Sequence, residues 1–308
     1  MVTVVGSFNM DLFIETERFA APGEAVHGRN FRRAPGGKGA NQACALARLG
    51  TPAAIIGAVG QDAFGDEMLA NLKAAGVSVR GVVRRSDTPS GTAMIVLDAA
   101  GQNQIVVANG ANDTLTAADI EQHRDLFMQS RAVVAQLETP IPSVEAALRL
   151  AREARLLTIL NPAPFRPVSD ALLHLCDWII PNENEATKLS GVEVRDIPTA
   201  ARAAVVIKLR SACPRVLVTL GANGVWLDTP EFTGHLPGFK VEAVDTVGAG
   251  DTFIGAFVTQ LVDGIEPRRA ARFGCAAAAI AVTRRGAQAS IPTRHEVEAW
   301  LKQPGPTV

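Results

Sequence analysis

An α/β fold with a mainly parallel central sheet and a small antiparallel β lid is predicted by three features of the sequence. Short apolar runs alternate with amphipathic or Ala-rich segments, two stretches break that rhythm with strand-like alternation, and the C-terminal part is mainly helical. The runs are VTVVG at 2–6, AAIIGAV at 53–59, AVVAQL at 132–137, LLTIL at 156–160, WII at 178–180 and RVLVTL at 215–220. Each is mainly apolar rather than alternating, which suits a strand buried on both faces of a sheet. The segments near 39–49, 63–75, 142–154 and 196–212 read as the crossover helices that parallel neighbours need. Beyond Gly248 helices are expected over 250–263, 267–284 and 293–302, and QPGPTV at 303–308 reads as a frayed end.

Residues 11–34 and 90–108 depart from this pattern. GTAMIVL at 91–97 and QIVV at 104–107 look like strands, turns fall at Pro22-Gly23 and Ala100-Gly101, and no helix separates the pieces. They cannot be βαβ units. The expectation is a separate antiparallel lid that keeps water from an active site; the alternative is an edge extension of the main sheet. The chain is thus expected to form one α/β domain over 1–308 carrying that lid.

Composition narrows the function. With 308 residues and 47% hydrophobic content the chain can bury a large core. A formal net charge of -1 argues against nucleic-acid or membrane-surface binding, because neither would find a field to exploit. Small-molecule chemistry is the expectation. No apolar run reaches the ~18 residues that span a bilayer, and MVTVVGSFNMD enters a strand pattern with no basic leader. Cys44, Cys176, Cys213 and Cys275 are widely spaced and read as reduced core thiols, which implies a cytoplasmic setting. His27, His123, His174, His235 and His295 show no zinc-ligand spacing.

The most informative segment is DTVGAGDTF at 245–253, a Gly-rich turn and a carboxylate set before a long helical pattern. A helix N-terminus leaves N–H groups unpaired and carries partial positive charge, and glycines let a phosphate reach the backbone. Asp251 would face the same anion. A carboxylate there is unfavourable unless it takes a proton from an incoming hydroxyl, which points to phosphoryl transfer to an alcohol. The plainer alternative is an Asp that caps the helix.

Polar residues also follow several strands: Asn9 and Asp11, Glu138, Asn161, Asn182 and Glu185, and Gly221. Any one could be a turn residue or an N-cap. Together they would line the rim beyond the strand ends where open α/β sheets bind ligands. A second Gly-rich turn, PGGKGANQA at 35–43, also enters a helix, but it is neither a P-loop nor G-x-G-x-x-G.

Gly36-Gly37-Lys38-Gly39-Ala40-Asn41 and Asp245-Thr246-Val247-Gly248-Ala249-Gly250-Asp251 resemble the N-terminal and C-terminal signatures of the ribokinase family of carbohydrate kinases. GSFNMD at 6–11, QLETP at 136–140, NPAP at 161–164, PNENE at 181–185, TLG at 219–221 and GAQAS at 286–290 stand in the same order as in that family. The resemblance implies a three-layer α/β/α sandwich and ATP-dependent phosphorylation of D-ribose at the 5-hydroxyl. It implies Asp251 as general base and Gly248, Ala249 and Gly250 as the anion hole. Asn9, Met10, Asp11, Gly37, Lys38, Gly39, Ala40, Asn41 and Glu138 match the sugar site. Thr219, Leu220, Gly221, Ala222, Asn223, Gly224 and Cys275 match the ATP pocket, where relatives often have Asn or His in place of Cys275. Asn182 and Glu185 match an N-x-x-E element that organises magnesium, through water, and the ATP phosphates.

The same resemblance implies a potassium site from Asp245, Val247, Ala281, Arg284, Gly286 and Ser290, and a homodimer paired through the lid. Specificity is the open step: 2-deoxyribose, a fructose-type sugar or a nucleoside are alternatives. A sugar-binding sensor that has lost the chemistry is the alternative outside enzymes; a sensor has little reason to keep Asp251, Asn182 and Glu185.

Overall fold

Val2–Val5 is fully buried and pairs in parallel along both of its edges, as its apolar run predicts. It is β1 of a computed structural model that describes residues 1–302; the end expected to fray, 303–308, lies outside the described residues. The following strands are β2 (Asn9–Thr16), β3 (Gly28–Gly36), β4 (Ala53–Gly60), β5 (Ser78–Arg85), β6 (Thr92–Leu97) and β7 (Asn103–Ala108). Then come β8 (Ala132–Ala135), β9 (Leu157–Leu160), β10 (Trp178–Ile179), β11 (Arg215–Thr219), β12 (Val225–Asp228) and β13 (Thr233–Leu236).

The central sheet has nine strands in the order β13-β12-β11-β10-β9-β8-β1-β4-β5. All pair in parallel except β12 and β13, which close one edge as an antiparallel hairpin. Adjacent residues of one strand divide between its faces. Val4, Ile55 and Val134 pack with Leu46, Phe253 and Phe257, whereas Val5, Ile56 and Val133 pack with Ala147, Leu150 and Ala151. Helices Lys38–Arg48, Ala249–Val262 and Pro267–Val282 therefore cover one face, and Ile141–Glu153 and Ile197–Ser211 the other. This is the expected α/β/α sandwich.

β2, β3, β6 and β7 form a separate four-stranded sheet in the order β3-β2-β6-β7. Its two outer pairings are antiparallel, and the middle one, β2 with β6, is parallel because the two hairpins meet side by side from distant parts of the chain. The sheet begins at Asn9, so Asn9 and Asp11 belong to it rather than to the rim of the central sheet. The edge strands β5, β12 and β13 and the short helices Ala117–Gln122, Arg124–Met128, Asp170–Leu173 and Glu183–Ser190 were not foreseen. β5 reads SVRGVVRR, and its arginines hide the apolar run that marks the interior strands.

Strand order reverses at β1, which lies between β8 and β4, and crevices form outside the carboxyl ends of strands at such a switch point. Two helices arrive there. Lys38–Arg48 follows Gly37, whose φ is 90°, and sits so close to β1 that a Cβ on Gly39 would lie 2.5 Å from the Gly6 carbonyl carbon. Ala249–Val262 follows Gly248 and crosses the first helix at Gly255, where a Cβ would lie 2.4 Å from the Ala45 side chain. Gly255→Val must therefore push the helices apart. Overpacking of this kind costs about 1–3 kcal/mol, read as a lower urea midpoint together with slower turnover; an unchanged midpoint would refute the crossing.

Candidate active site

The two Gly-rich turns that look alike in sequence differ in structure. The first amides of helix Lys38–Arg48 are already used. Lys38 N–H donates to Glu138 Oε2 at 3.1 Å, Gly39 N–H to Ser7 Oγ at 3.4 Å and Ala40 N–H to the Ser7 carbonyl at 3.0 Å. Ser7 Oγ in turn donates to Glu138 Oε2. A carboxylate of the protein itself thus occupies the positive end of this helix.

The start of helix Ala249–Val262 is open. Ala249 N–H makes a 3.3 Å bond to the Thr246 carbonyl, so of the expected anion-hole amides it is the one turned back into the protein. Gly250 is exposed, its φ is not positive, and a Cβ built on it meets nothing within 4 Å. No feature of the fold requires glycine there. A side chain at this position would stand over the helix end, and glycine leaves that end open.

Asp251 is buried beside this opening. Asn41 Nδ2 donates to its Oδ2 at 2.9 Å and Gln42 Nε2 to its Oδ1 at 2.9 Å. Asn9 lies against Gly37, its Oδ1 accepting from Asn112 Nδ2 at 3.0 Å. The Asp11 carboxyl lies on Gly36, where a Cβ would come within 2.4 Å of Oδ2. Burial, then the charges of Glu138 and Asp251, push Asp11 up to about 7 against the opposing pull of Arg32. Lys38 is half-buried, and burial works against its charge, but Asp251, Glu138 and Glu185 together hold its ammonium above the usual value. Four carboxylates and one ammonium therefore share a small volume, an arrangement that awaits hydrogen-bond donors and cationic charge from ligands.

Asn182 and Glu185 form a capping box at the start of helix Glu183–Ser190: Glu185 N–H donates to Asn182 Oδ1 at 2.9 Å and Asn182 N–H to Glu185 Oε2 at 2.9 Å. Burial raises the Glu185 carboxyl, with the Asn182 hydrogen bond and Lys38 opposing. Among the described residues no group of three or more His, Cys, Asp or Glu could hold a metal. A divalent ion here would have to be carried on phosphate oxygens and water, with Glu185 behind the water, which suits magnesium.

Asn182 bridges in parallel to Thr219, which places the Gly221–Asn223 turn beside it. Gly221, Ala222 and Asn223 are exposed there. Three expected contacts depart from this picture. Cys275 is 7% exposed among core side chains, with burial pushing its thiol up to about 12. The Met10 and Ala40 side chains are likewise buried in the apolar core.

The loops of the expected cation site do meet. Asp245 accepts from Val247 N–H at 3.0 Å and Gly286 N–H at 2.9 Å, and its own N–H donates to the Val282 carbonyl at 3.1 Å. The Ala281 carbonyl accepts from Arg284 N–H at 3.0 Å, and Ser290 Oγ donates to the Ala287 carbonyl at 2.9 Å. Gln42, Gln136, Gln288 and Asn71, which link to Asn41 and Asp251, were not singled out from sequence as site residues. Gln42 and Gln288 stand inside PGGKGANQA and GAQAS, and Gln136 is a glutamine inside the apolar run AVVAQL.

Residues 1–294 match the pfkB family carbohydrate kinases. The chain is 43% identical over 98% of its length to the ribokinase of Haemophilus influenzae, covering 98% of that protein. It is 33% identical to the deoxyribokinase of Salmonella typhi, with 97% of this chain and 98% of that protein covered. The Arabidopsis thaliana ribokinase solved with ribose and ATP superposes with a TM-score of 0.91 at 31% identity, over 98% of this chain and 99% of that one.

The Asp11 carboxyl predicts a pH dependence. It ionises near 3.8 in an unfolded chain and at about 7 in the fold. The folded state therefore binds more protons between those values, and stability falls as pH rises through them. The cost is absent below 3.8 and complete above 7. Asp11→Asn removes it, so the variant's thermal midpoint should exceed the parent's by a margin that widens across this window; a constant margin would contradict the assignment.

Proposed function

The chain belongs to the pfkB family of carbohydrate kinases, and from that premise we propose that it transfers the γ-phosphoryl group of ATP to the 5-hydroxyl of D-ribose, giving D-ribose 5-phosphate and ADP. The observation that carries this reading is the open helix start at Gly250 with the Asp251 carboxylate beside it. Asp251 takes the proton of the 5-hydroxyl. The oxygen bonds to the γ-phosphorus, and the bond from that phosphorus to the β,γ-bridging oxygen breaks. The amides of Gly248, Ala249 and Gly250 receive the charge that builds on the transferred group, with Ala249 releasing its 3.3 Å bond to Thr246. Glu185 would hold magnesium through water, and the ion, shared with the ATP phosphates, would supply positive charge to the leaving diphosphate.

Asn9, Asp11 and Asn41 hold the ring hydroxyls, and Gly37, Lys38, Gly39 and Glu138 complete the sugar site, Glu138 through the oxygen it does not spend on Ser7 and Lys38. Thr219, Leu220, Gly221, Ala222, Asn223 and Gly224 take the nucleoside. A second reading, 2-deoxyribose, is favoured by the deoxyribokinase relative. Asp245, the carbonyls of Val247, Ala281, Arg284 and Gly286, and Ser290 would supply the oxygen ligands that potassium prefers. It would order the loop leading into Gly248 without touching substrate.

The four-stranded sheet acts as the lid of the single domain. Its edge strand β7 is exposed throughout, and Phe31, Met94, Ile105, Val106 and Val107 are exposed apolar residues on this sheet, which fits pairing with a second copy. The four free cysteines are buried, in keeping with a cytoplasmic enzyme, and among the described residues no helix is long and apolar enough to cross a membrane.

ADP release with D-ribose, 2-deoxyribose, fructose and adenosine tests the substrate. Ribose should turn over selectively, and faster in potassium than in sodium; equal rates in the two salts would remove the cation site. Asp251→Asn should lower kcat by about 10³-fold or more while both substrates still bind, and turnover within tenfold of the parent would exclude Asp251 as the base.

A further inference from the structure

Side-chain amides converge on both oxygens of Asp251. On one side Gln136 Nε2 donates to Gln42 Oε1 at 2.6 Å, and Gln42 Nε2 donates to Asp251 Oδ1 at 2.9 Å and to Asn161 Oδ1 at 3.1 Å. On the other, Asn71 Nδ2 donates to Gln288 Oε1 at 2.5 Å, Gln288 Nε2 to Asn41 Oδ1 at 3.1 Å and Asn41 Nδ2 to Asp251 Oδ2 at 2.9 Å. Both arms run towards the carboxylate, with one side branch from Gln42 to Asn161. An ionised carboxylate only accepts, so it turns the NH₂ groups of Gln42 and Asn41 to itself and leaves their carbonyls to accept from Gln136 and Gln288.

Mutual satisfaction of buried polar groups does not account for this arrangement. Among the described residues Gln136 Oε1 is buried with no partner, so that side chain brings an orphan acceptor into the core in exchange for one donor. Leucine or methionine would remove this orphan but leave the buried Oε1 of Gln42 without its donor. The donor is what the position supplies.

We propose that Gln42 and Gln288 are positioning residues for phosphoryl transfer: Gln42, braced by Gln136, fixes Oδ1 of Asp251, and Gln288 fixes the amide plane of Asn41 and through it Oδ2. The carboxylate is then held at one rotation, facing the attacking hydroxyl. This inference rests on Asp251 being the base. The Gln288 arm has a second consequence. Gln288 follows closely on Gly286, whose N–H donates to Asp245, so the order of the cation loop reaches both a sugar-binding amide and the base through one side chain.

The test compares the full-length parent with Gln42→Leu, Gln42→Glu, Gln288→Leu and Asp251→Asn, using magnesium-ATP and D-ribose across a range of pH. Misplacing a reacting group by an ångström costs up to about 10²-fold. Gln42→Leu should therefore lose roughly 10- to 100-fold in kcat while both KM values stay within about threefold. Gln42→Glu keeps the shape of the side chain but sets a carboxylate against Asp251. The charged groups around that centre are Asp11, Lys38, Glu138 and Glu185. They are common to parent and variant, so the ratio of their rates isolates position 42. That ratio should rise as pH falls and Glu at 42 regains a proton to donate. Gln288→Leu should lower kcat and weaken the potassium response together.

Gln42→Leu with kcat within twofold of the parent, or a Gln42→Glu ratio flat in pH, would overturn the proposal while an inactive Asp251→Asn leaves the base in place. An active Asp251→Asn would remove the base and the proposal with it. Should Gln42→Leu fail to fold, the near-isosteric Gln42→Glu and the separate Gln288 arm carry the test.

Discussion

The close approach of two helix starts over the end of β1 is the constraint on which the rest depends. Gly39 lets one helix touch Gly6, and Gly255 lets the other touch Ala45, with no room for a Cβ at either point. That contact makes neighbours of Asn41 and Asp251, residues 210 positions apart in the chain. Without it the sugar-binding and phosphate-binding halves would be separate surfaces. Trp178, set edge-on against Phe257 at 4.9 Å, anchors the second helix to the sheet from below.

Electrostatics then distinguishes the two helix ends. Glu138 and Ser7 fill the first, so its partial charge stabilises the turn at Gly36–Gly39. The second keeps its field for a ligand. Glu138, Glu185 and Asp251 surround one lysine, and burial, with the charges of Glu138 and Asp251, raises Asp11 to about 7. Sugar hydroxyls, phosphate-bound magnesium and the lid would each relieve part of that cost, so the free protein is less comfortable than the loaded one. Such a site stores in its empty state part of the preference it later shows for its ligands.

The interior strands were legible because a strand buried on both faces must be mainly apolar, and the crossover helices because their spacing repeats. β5, β12 and β13 were not. Val225–Asp228 and Thr233–Leu236 are short and end in or contain polar residues, and edge strands need no continuous run. The parallel pairing of β2 with β6 is a long-range choice that no local pattern records. Within the site, Asp251, Gly250, Asn41 and Asp11 stood out through motif and resemblance, and the difference between the two Gly-rich turns emerged only from their partners in space. The amide network was illegible for the same reason, since Gln42 and Gln136 meet across the fold. Cys275 and Met10 show the converse: their positions matched a site, but their side chains pack in the core.

The central claim is geometric, that the Gly250 helix start and the Asp251 carboxylate grip one phosphoryl group and one hydroxyl at the same moment. A crystal structure with ADP, aluminium fluoride, magnesium and D-ribose tests it most directly. The account predicts the fluoride anion over the amides of Gly248–Gly250 and the ribose 5-hydroxyl within about 2.6–3.2 Å of an Asp251 oxygen. An anion bound elsewhere, or a hydroxyl directed away from Asp251, would contradict it.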